Sequence, residues 1–303
     1  MNIAQELKIE TQRPTAVAVG FFDGVHRGHR AVIEAALAHK SEGLDTCVFS
    51  FSINSASPEK KRGARLLQTP ALKAKAVEAL GADWLLTPDF SQFKGLSPEQ
   101  FALDVLMRGL NARVVCCGYD YHFGKGACAG ARELAGLLTP HGVQVEQVGA
   151  VLDSGLPVSS TRIREALLAG DIETANRLLG RAFSIDFPVA HGRGLGRELG
   201  FPTANQLIGE AYAQLRFGVY ATQVLVDGVA HAAVTNVGIK PTVGSDNVGA
   251  ESYILDWSGD LYGRTIETQF LSFLRPEQRF ESLEALKAAI RQDADRARMF
   301  STD

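Results

Sequence analysis

Between Thr15 and about residue 150, short apolar runs alternate with stretches whose apolar residues recur every three or four positions. Thr15–Gly20, Thr46–Phe51, Ala82–Leu86, Arg113–Cys117 and Gln144–Val148 read as strands. Gly28–Ser41, Leu72–Leu80, Ser97–Met107 and Arg132–His141 read as the helices between them. This alternation predicts an α/β domain, a doubly wound parallel sheet with helices on both faces. Runs that are apolar at every position, such as Val114-Val115-Cys116-Cys117, suit strands covered on both sides. Two short helices follow, Thr161–Leu168 and Asp171–Leu179, separated by Gly170.

Past Gly180 the period changes to that of strands. Ser184–Ala190 and Val219–Val226 alternate, Asp227-Gly228 marks a hairpin turn, and Ala230–Val237, Ser252–Asp256 and Ile266–Phe273 continue the series. The second half is therefore predicted to be an antiparallel β-barrel over about residues 181–275. Leu283 to Met299 closes it as a helix, with Ser282 as N-cap and Leu283, Leu286 and Ile290 on one face. The expected domains are residues 1–180 and 181–303.

Composition supports two packed cores: 303 residues, 46% apolar and 21% charged. The net charge of -3 offers no broad attraction for nucleic acid or anionic lipid. No apolar run approaches the ~18–20 residues of a membrane helix. Met1–Pro14 carries Glu6, Lys8, Glu10 and Arg13 and does not read as a secretory signal. Of the four cysteines, Cys116 and Cys117 are adjacent, a poor geometry for a bridge and not a zinc-knuckle spacing. Reduced cysteines on or near strands are expected, hence a cytoplasmic protein. Small-molecule partners, with neither nucleic acid nor membrane, and a monomeric or weakly homo-oligomeric state are expected beside this.

The chemistry begins at the first strand–helix junction, Gly20-Phe21-Phe22-Asp23-Gly24-Val25-His26-Arg27-Gly28-His29. Ligands of open parallel sheets bind at the carboxyl ends of strands, where helix N-termini offer free N–H groups to anions. Gly20, Gly24 and Gly28 let the backbone approach a phosphate, and His26 and His29, at i and i+3, can both face one developing charge. A zinc pair and two surface histidines without a role are the competing readings, and no third metal ligand is near in sequence.

This run resembles the signature of the HxGH nucleotidyltransferases, in the form found in the bacterial bifunctional riboflavin kinase/FAD synthetase family. The resemblance continues through Gly118-Tyr119-Asp120-Tyr121-His122-Phe123-Gly124-Lys125-Gly126 and Val158-Ser159-Ser160-Thr161-Arg162-Ile163-Arg164. It implies a Rossmann-like domain that transfers the adenylyl group of ATP to FMN, giving FAD and pyrophosphate. His26 and His29 are implied as the catalytic pair at the α-phosphate. Gly20, Phe22, Asp23 and Gly24 are implied as ATP-binding, with Ser160, Thr161 and Arg164 at the β- and γ-phosphates, where plain helix capping is the alternative for Ser160 and Thr161. Asp120 and Phe123 are implied as flavin-binding. The family's Pro-His-Pro-like run after the second strand is replaced by Phe51-Ser52-Ile53-Asn54-Ser55-Ala56-Ser57-Pro58. Lys60, Lys61, Arg62 and Arg65 follow, and they are expected either to supply the missing phosphate contacts or to form a solvated loop.

The second half opens with His191-Gly192-Arg193-Gly194-Leu195-Gly196-Arg197-Glu198-Leu199-Gly200-Phe201-Pro202-Thr203-Ala204-Asn205. It fits neither a Walker loop nor a dinucleotide fingerprint. Thr203 and Asn205, two residues apart, face one side of an extended segment as neutral oxygen donors, which suit magnesium when phosphates complete the shell. The run resembles the riboflavin kinase motif, as do Phe217-Gly218-Val219-Tyr220, Asn236-Val237-Gly238-Ile239-Lys240-Pro241-Thr242, Asp256–Gly263 and Phe273-Leu274-Arg275-Pro276-Glu277. The resemblance implies phosphorylation of riboflavin by Mg2+-ATP. Glu251 is implied as the general base, Thr203 and Asn205 as the metal clamp, and Gly192, Gly194, Gly196, Arg197 and Pro202 as further ATP contacts. Arg275 is implied to lie in a flap near the flavin, with a packing or ion-pair role left open. A kinase alone, its first domain impaired by the altered loop, is the alternative function.

Overall fold

The computed structural model describes residues 1–53, 65–192, 196, 199–242 and 245–300. The chain forms two compact units, one of residues 1–64 and 73–159, the other of residues 65–72 and 160–303.

The first unit is built on β1 (Asn2–Ala4), β2 (Thr15–Val19), β3 (Asp45–Phe49), β4 (Trp84–Leu86), β5 (Ala112–Gly118) and β8 (Gln144–Val148). They form one six-stranded sheet in the order β1-β4-β3-β2-β5-β8. Every pairing in it is parallel. Two short hairpins, β6 (His122–Phe123) with β7 (Ala129–Gly130) and β9 (Leu152–Asp153) with β10 (Leu156–Pro157), extend from it. The inner strands β2, β3 and β5 are buried on both faces, as their mostly apolar character requires, while β1 and β8 at the edges are not. Ala16, Ala18, Val48 and Cys116 pack under Val32, Ile33 and Ala36 of helix α1 (Arg27–Ala38) and Val77 of helix α2 (Pro70–Ala79). Val17, Val19, Cys47, Phe49 and Cys117 pack on the other face. There they meet Phe101, Val105 and Leu106, which follow the short helix α3 (Pro98–Gln100), and Leu134 and Leu138 of α4 (Ala131–Leu138). Burial pushes the Cys47, Cys116 and Cys117 thiols up, Cys117 to about 11 and Cys116 to about 12, which leaves them protonated and inert.

The sequence reading contains neither short hairpin, and two further elements differ from it. β1 is a three-residue edge strand that exists through its ladder to Trp84–Leu86, too short to show a period of its own. The helix opened by Ser97 does begin there, with a reciprocal Ser97–Gln100 capping box, but from Phe101 to Gly109 it widens into a π-helix.

In the second unit, α5 (Ser160–Ala169) and α6 (Ile172–Leu179) lead into a closed barrel of β11 (Phe183–Ala190), β12 (Thr203–Ile208), β13 (Gly218–Val226), β14 (Val229–Thr242), β15 (Ser245–Ile254) and β16 (Thr265–Arg275). All its pairs are antiparallel. Asp227 and Gly228 both take positive φ, 51° and 82°, in the turn between β13 and β14, as an Asp-Gly hairpin requires. The barrel holds a buried polar row whose members satisfy one another. Thr235 hydrogen-bonds Thr222 and Ser252 at 2.7 and 2.8 Å, and Gln206 accepts from Thr268 while donating to the Phe187 and Ile266 carbonyls. β14 and β15 run several residues beyond the predicted strands, because mutual pairing carries a glycine-bearing stretch with no apolar period. The C-terminal helix (Leu283–Arg298) is capped by Ser282 and lays Ala294 and Ala297 against Val219, Val234 and Leu274.

Candidate active sites

In the first unit the strand order reverses between β2 and β5, and both loops that leave their carboxyl ends carry one of the motifs. Val19 pairs with Cys117, so Gly20 and Gly118 open those loops side by side. The turn after β2 is tightly wound: Phe22, Gly24 and Val25 have φ of 50°, 89° and 38°. A β-branched residue such as Val25 takes that conformation only when its surroundings enforce it. Phe22, Asp23 and Val25 are all buried, and a side chain at Gly20 would meet the Phe22 ring at 3.0 Å.

The turn delivers His26 to the N-cap of α1, where its Nδ1 accepts a hydrogen bond from the His29 N–H at 3.3 Å. With Nδ1 accepting, the neutral ring carries its proton on Nε2. The two imidazoles stack with centroids 3.6 Å apart and planes 16° from parallel. A Cβ on Gly28 would lie 3.3 Å from the His26 ring, a tight contact, and 3.5 Å from the Val158 carbonyl. Arg27 pairs with the buried Asp153 at 3.4 Å and ties the helix start to β9. The helix start presents an aligned pair of imidazoles, and among the described residues no group of three or more His, Cys, Asp and Glu could hold a metal ion. Asp120 is exposed at the corner after β5, whereas Phe123 is buried in the core against Phe101 and Tyr121.

Ser160 and Thr161 form the first turn of α5, Ser160 buried and Thr161 exposed. Arg164, in the next turn, donates from Nε to the Arg65 carbonyl at 2.5 Å, and Arg65 itself bonds Gln214 at 2.6 Å. Lys60, Lys61 and Arg62 lie outside the described residues. So do Gly194 and Arg197, among the expected ATP contacts of the second half.

On the barrel, Thr203 and Asn205 share one face of β12, while Ala204 and Gln206 turn to the buried side. Asn205 stands directly opposite Glu251 of β15, and Glu251 directly opposite Asn236 of β14. The Asn205 amide donates to the Thr203 carbonyl at 3.2 Å, which leaves its Oδ1 as an acceptor. Gly192 and Gly196 crowd these groups: a Cβ on Gly192 would meet the Asn205 amide at 2.6 Å, and one on Gly196 the Phe201 carbonyl at 2.5 Å. Two neutral oxygens under a glycine backbone fit a magnesium ion whose remaining ligands are phosphate and water. Pro202 is exposed beside them.

Glu251 carries an ion pair that sequence reasoning missed. The Lys240 Nζ lies 2.5 Å from its Oε2, and the Lys240 stem crosses the place a side chain on Gly249 would fill. Asn236 also donates to Glu277 at 3.2 Å, whose carboxylate rests on Gly238. Arg275 grips the buried Asp293 of the C-terminal helix through contacts of 2.8 and 3.0 Å and lies over the Phe280 ring. The ion-pair role left open for Arg275 is thus the one its geometry displays.

Comparison with known proteins agrees with both halves. A riboflavin kinase family matches residues 179–301 and an FAD synthetase family matches residues 8–162. Bifunctional riboflavin kinase/FMN adenylyltransferases of Pseudomonas fluorescens and Escherichia coli K12 are 38% and 34% identical over 294 residues. These alignments cover 94% and 95% of this chain and 93% of each relative. The chain belongs to the bifunctional riboflavin kinase/FMN adenylyltransferase family. A crystal structure from Streptococcus pneumoniae, titled as a macrolide-efflux protein, superposes with a TM-score of 0.87 at 28% identity over 99% of both chains. No helix among the described residues is long and apolar enough to cross a membrane. The family member therefore holds both an FAD synthetase and a riboflavin kinase domain, which favours two activities over the kinase alone.

Proposed function

We propose that residues 181–303 phosphorylate riboflavin to FMN and that residues 1–180 adenylylate FMN to FAD. The observation that carries this reading is that one chain holds both the stacked His26–His29 pair and the Asn205–Glu251 cross-strand pair.

In the kinase half, Thr203 and Asn205 hold Mg2+-ATP, with Gly192, Gly194, Gly196, Arg197 and Pro202 as further contacts. Bound magnesium supplies charge neutralisation at the phosphates. Glu251 accepts the proton of the riboflavin 5′-hydroxyl as that oxygen bonds to the γ-phosphorus. The bond to the β–γ bridging oxygen breaks, and ADP leaves. Arg275, held by Asp293, steadies the flap from Pro276 onward beside the flavin.

In the transferase half, a phosphate oxygen of FMN attacks the α-phosphorus of ATP and pyrophosphate leaves, so no protein nucleophile is needed. The Nε2–H of His26 and the His29 ring stabilise the charge that develops on the α-phosphate. Gly20, Phe22, Asp23 and Gly24 shape the cradle, and Ser160, Thr161 and Arg164 are assigned to the β- and γ-phosphates. Asp120 meets the flavin, with the packed Phe123 supporting the loop from beneath. Magnesium accompanies ATP here as well. We assign the protein to the cytoplasm, where buried thiols such as Cys47 stay reduced, and to a monomeric or weakly associating state.

The test is a time course with riboflavin, ATP and Mg2+, separating FMN from FAD by chromatography, beside a second reaction started from FMN. FMN rising first and FAD following supports the reading. FMN without FAD in both reactions returns the kinase-only alternative.

A further inference from the structure

One buried cation at the carboxyl end of the parallel sheet is not used by the roles assigned so far. Lys73, early in α2, is 8% exposed. Its Nζ donates to the Phe21 carbonyl at 2.9 Å and to the Ser50 Oγ at 3.0 Å, and lies 4.8 Å from the centre of the Phe21 ring. Ser50 in turn donates to the same Phe21 carbonyl at 2.8 Å. Phe21 belongs to the turn after β2, and Ser50 is the first residue past β3. The ammonium therefore clasps the carboxyl ends of two neighbouring strands behind the turn that delivers His26.

A lysine on a helix surface extends into water, because burying an ammonium costs several kcal/mol. One taken inside and given specific acceptors holds something in place. What this one holds is the segment with φ of 50° at Phe22 and 38° at Val25, which does not keep such a shape unaided. The turn's own acid, Asp23, acts on the ammonium electrostatically and favours its charged form.

We infer that Lys73 is a positioning residue of adenylyl transfer, its buried ammonium fixing the Gly20–Val25 turn so that His26 and His29 meet the α-phosphate. This rests on the FAD-synthesis reading above. Burial lowers the Lys73 ammonium to about 8, with Asp23 opposing the fall. Below that pH the charge is present; above it the neutral amine keeps two N–H donors but loses its attraction for Asp23 and the Phe21 ring. FAD formation is thus expected to fall on an alkaline limb centred near pH 8, a feature that packing alone does not produce.

The experiment compares the full chain with Lys73→Met and Ser50→Ala, assaying FAD from FMN and FMN from riboflavin between pH 6.5 and 9.5. Lys73→Met is expected to lose roughly 10- to 100-fold in FAD formation, the scale of a small misplacement of catalytic groups, and to lose the alkaline limb. Ser50→Ala should lose less and keep it. Riboflavin phosphorylation, made by the same polypeptide, should follow wild type in both and so report a folded second half. Wild-type FAD formation that is flat across this range, or a Lys73→Met enzyme with wild-type rate and profile, overturns the inference. A wild-type chain that makes no FAD at any pH overturns instead the reading beneath it. Should Lys73→Met unfold the first half, seen as a lost thermal transition, the limb in Ser50→Ala and wild type decides.

Discussion

Asn205 and Glu251 face each other directly across the β12–β15 ladder, so the residues to which we assign the metal clamp and the general base stand on one pair of hydrogen-bonded strands. No loop intervenes to blur their spacing. Replacing Glu251 by Gln keeps the shape and removes the proton acceptor. Riboflavin phosphorylation is expected to fall by about 10²- to 10⁴-fold, with FAD synthesis from supplied FMN unchanged. Separate assays of the two reactions read this, and a kinase of full rate refutes the role of Glu251.

Gly192 presses on the Asn205 amide, so Gly192→Ala must displace one or the other. The expected result is a raised ATP KM in the kinase reaction, with FAD synthesis from FMN unaffected. Initial rates over a range of ATP at fixed riboflavin check it.

Gly28 performs the corresponding service for His26. Adding a methyl group there presses on the His26 ring, which must give by a few tenths of an ångström. Gly28→Ala is expected to slow FAD formation roughly tenfold or more and to leave FMN formation alone. Equal rates in both reactions would remove His26 from the adenylyl site.

The Arg275–Asp293 pair joins β16 to the C-terminal helix, with the Asp293 side chain only 4% exposed. Removing the guanidinium leaves a buried carboxylate uncompensated, a change that costs about 3–5 kcal/mol. Arg275→Met should lower the denaturation midpoint of the barrel. Adding Asp293→Leu should return much of the loss, since the isolated charge is then gone. Calorimetry of the single and double variants measures both.

Cys128 is exposed while Cys47, Cys116 and Cys117 are buried and their thiols raised. A colorimetric thiol reagent is expected to titrate one cysteine in the native protein and the other three only after denaturation. A second fast-reacting thiol in the folded chain would contradict the packing of the sheet.

Much of this architecture is legible in the sequence because burial imposes it residue by residue. Val114 to Cys117 have helices on both sides, so every position is apolar and the strand announces itself. The Asp227-Gly228 turn needs two positive φ angles, and few other dipeptides accept them. Where the ladder rather than the side chain decides, the signal fades: Gly238 to Lys240 are strand because β15 pairs with them, and β1 because β4 does. The same holds at the sites. His26, His29, Thr203 and Asn205 stand in spacings that speak for themselves. Lys240 is eleven positions from Glu251 and Lys73 more than forty from His29, and only a folded chain reveals whom they serve.

The imidazole that begins α1 is committed twice over. Its Nδ1 lone pair accepts from the His29 N–H in the first turn of the helix, and its opposite nitrogen is the one to which we assign the chemistry. A doubly protonated ring has no lone pair left to give, so acid that charges His26 also loosens the helix it anchors. On the proposed reading, the cap that holds the helix start and the group that meets the α-phosphate are one side chain, so a change at that position touches both.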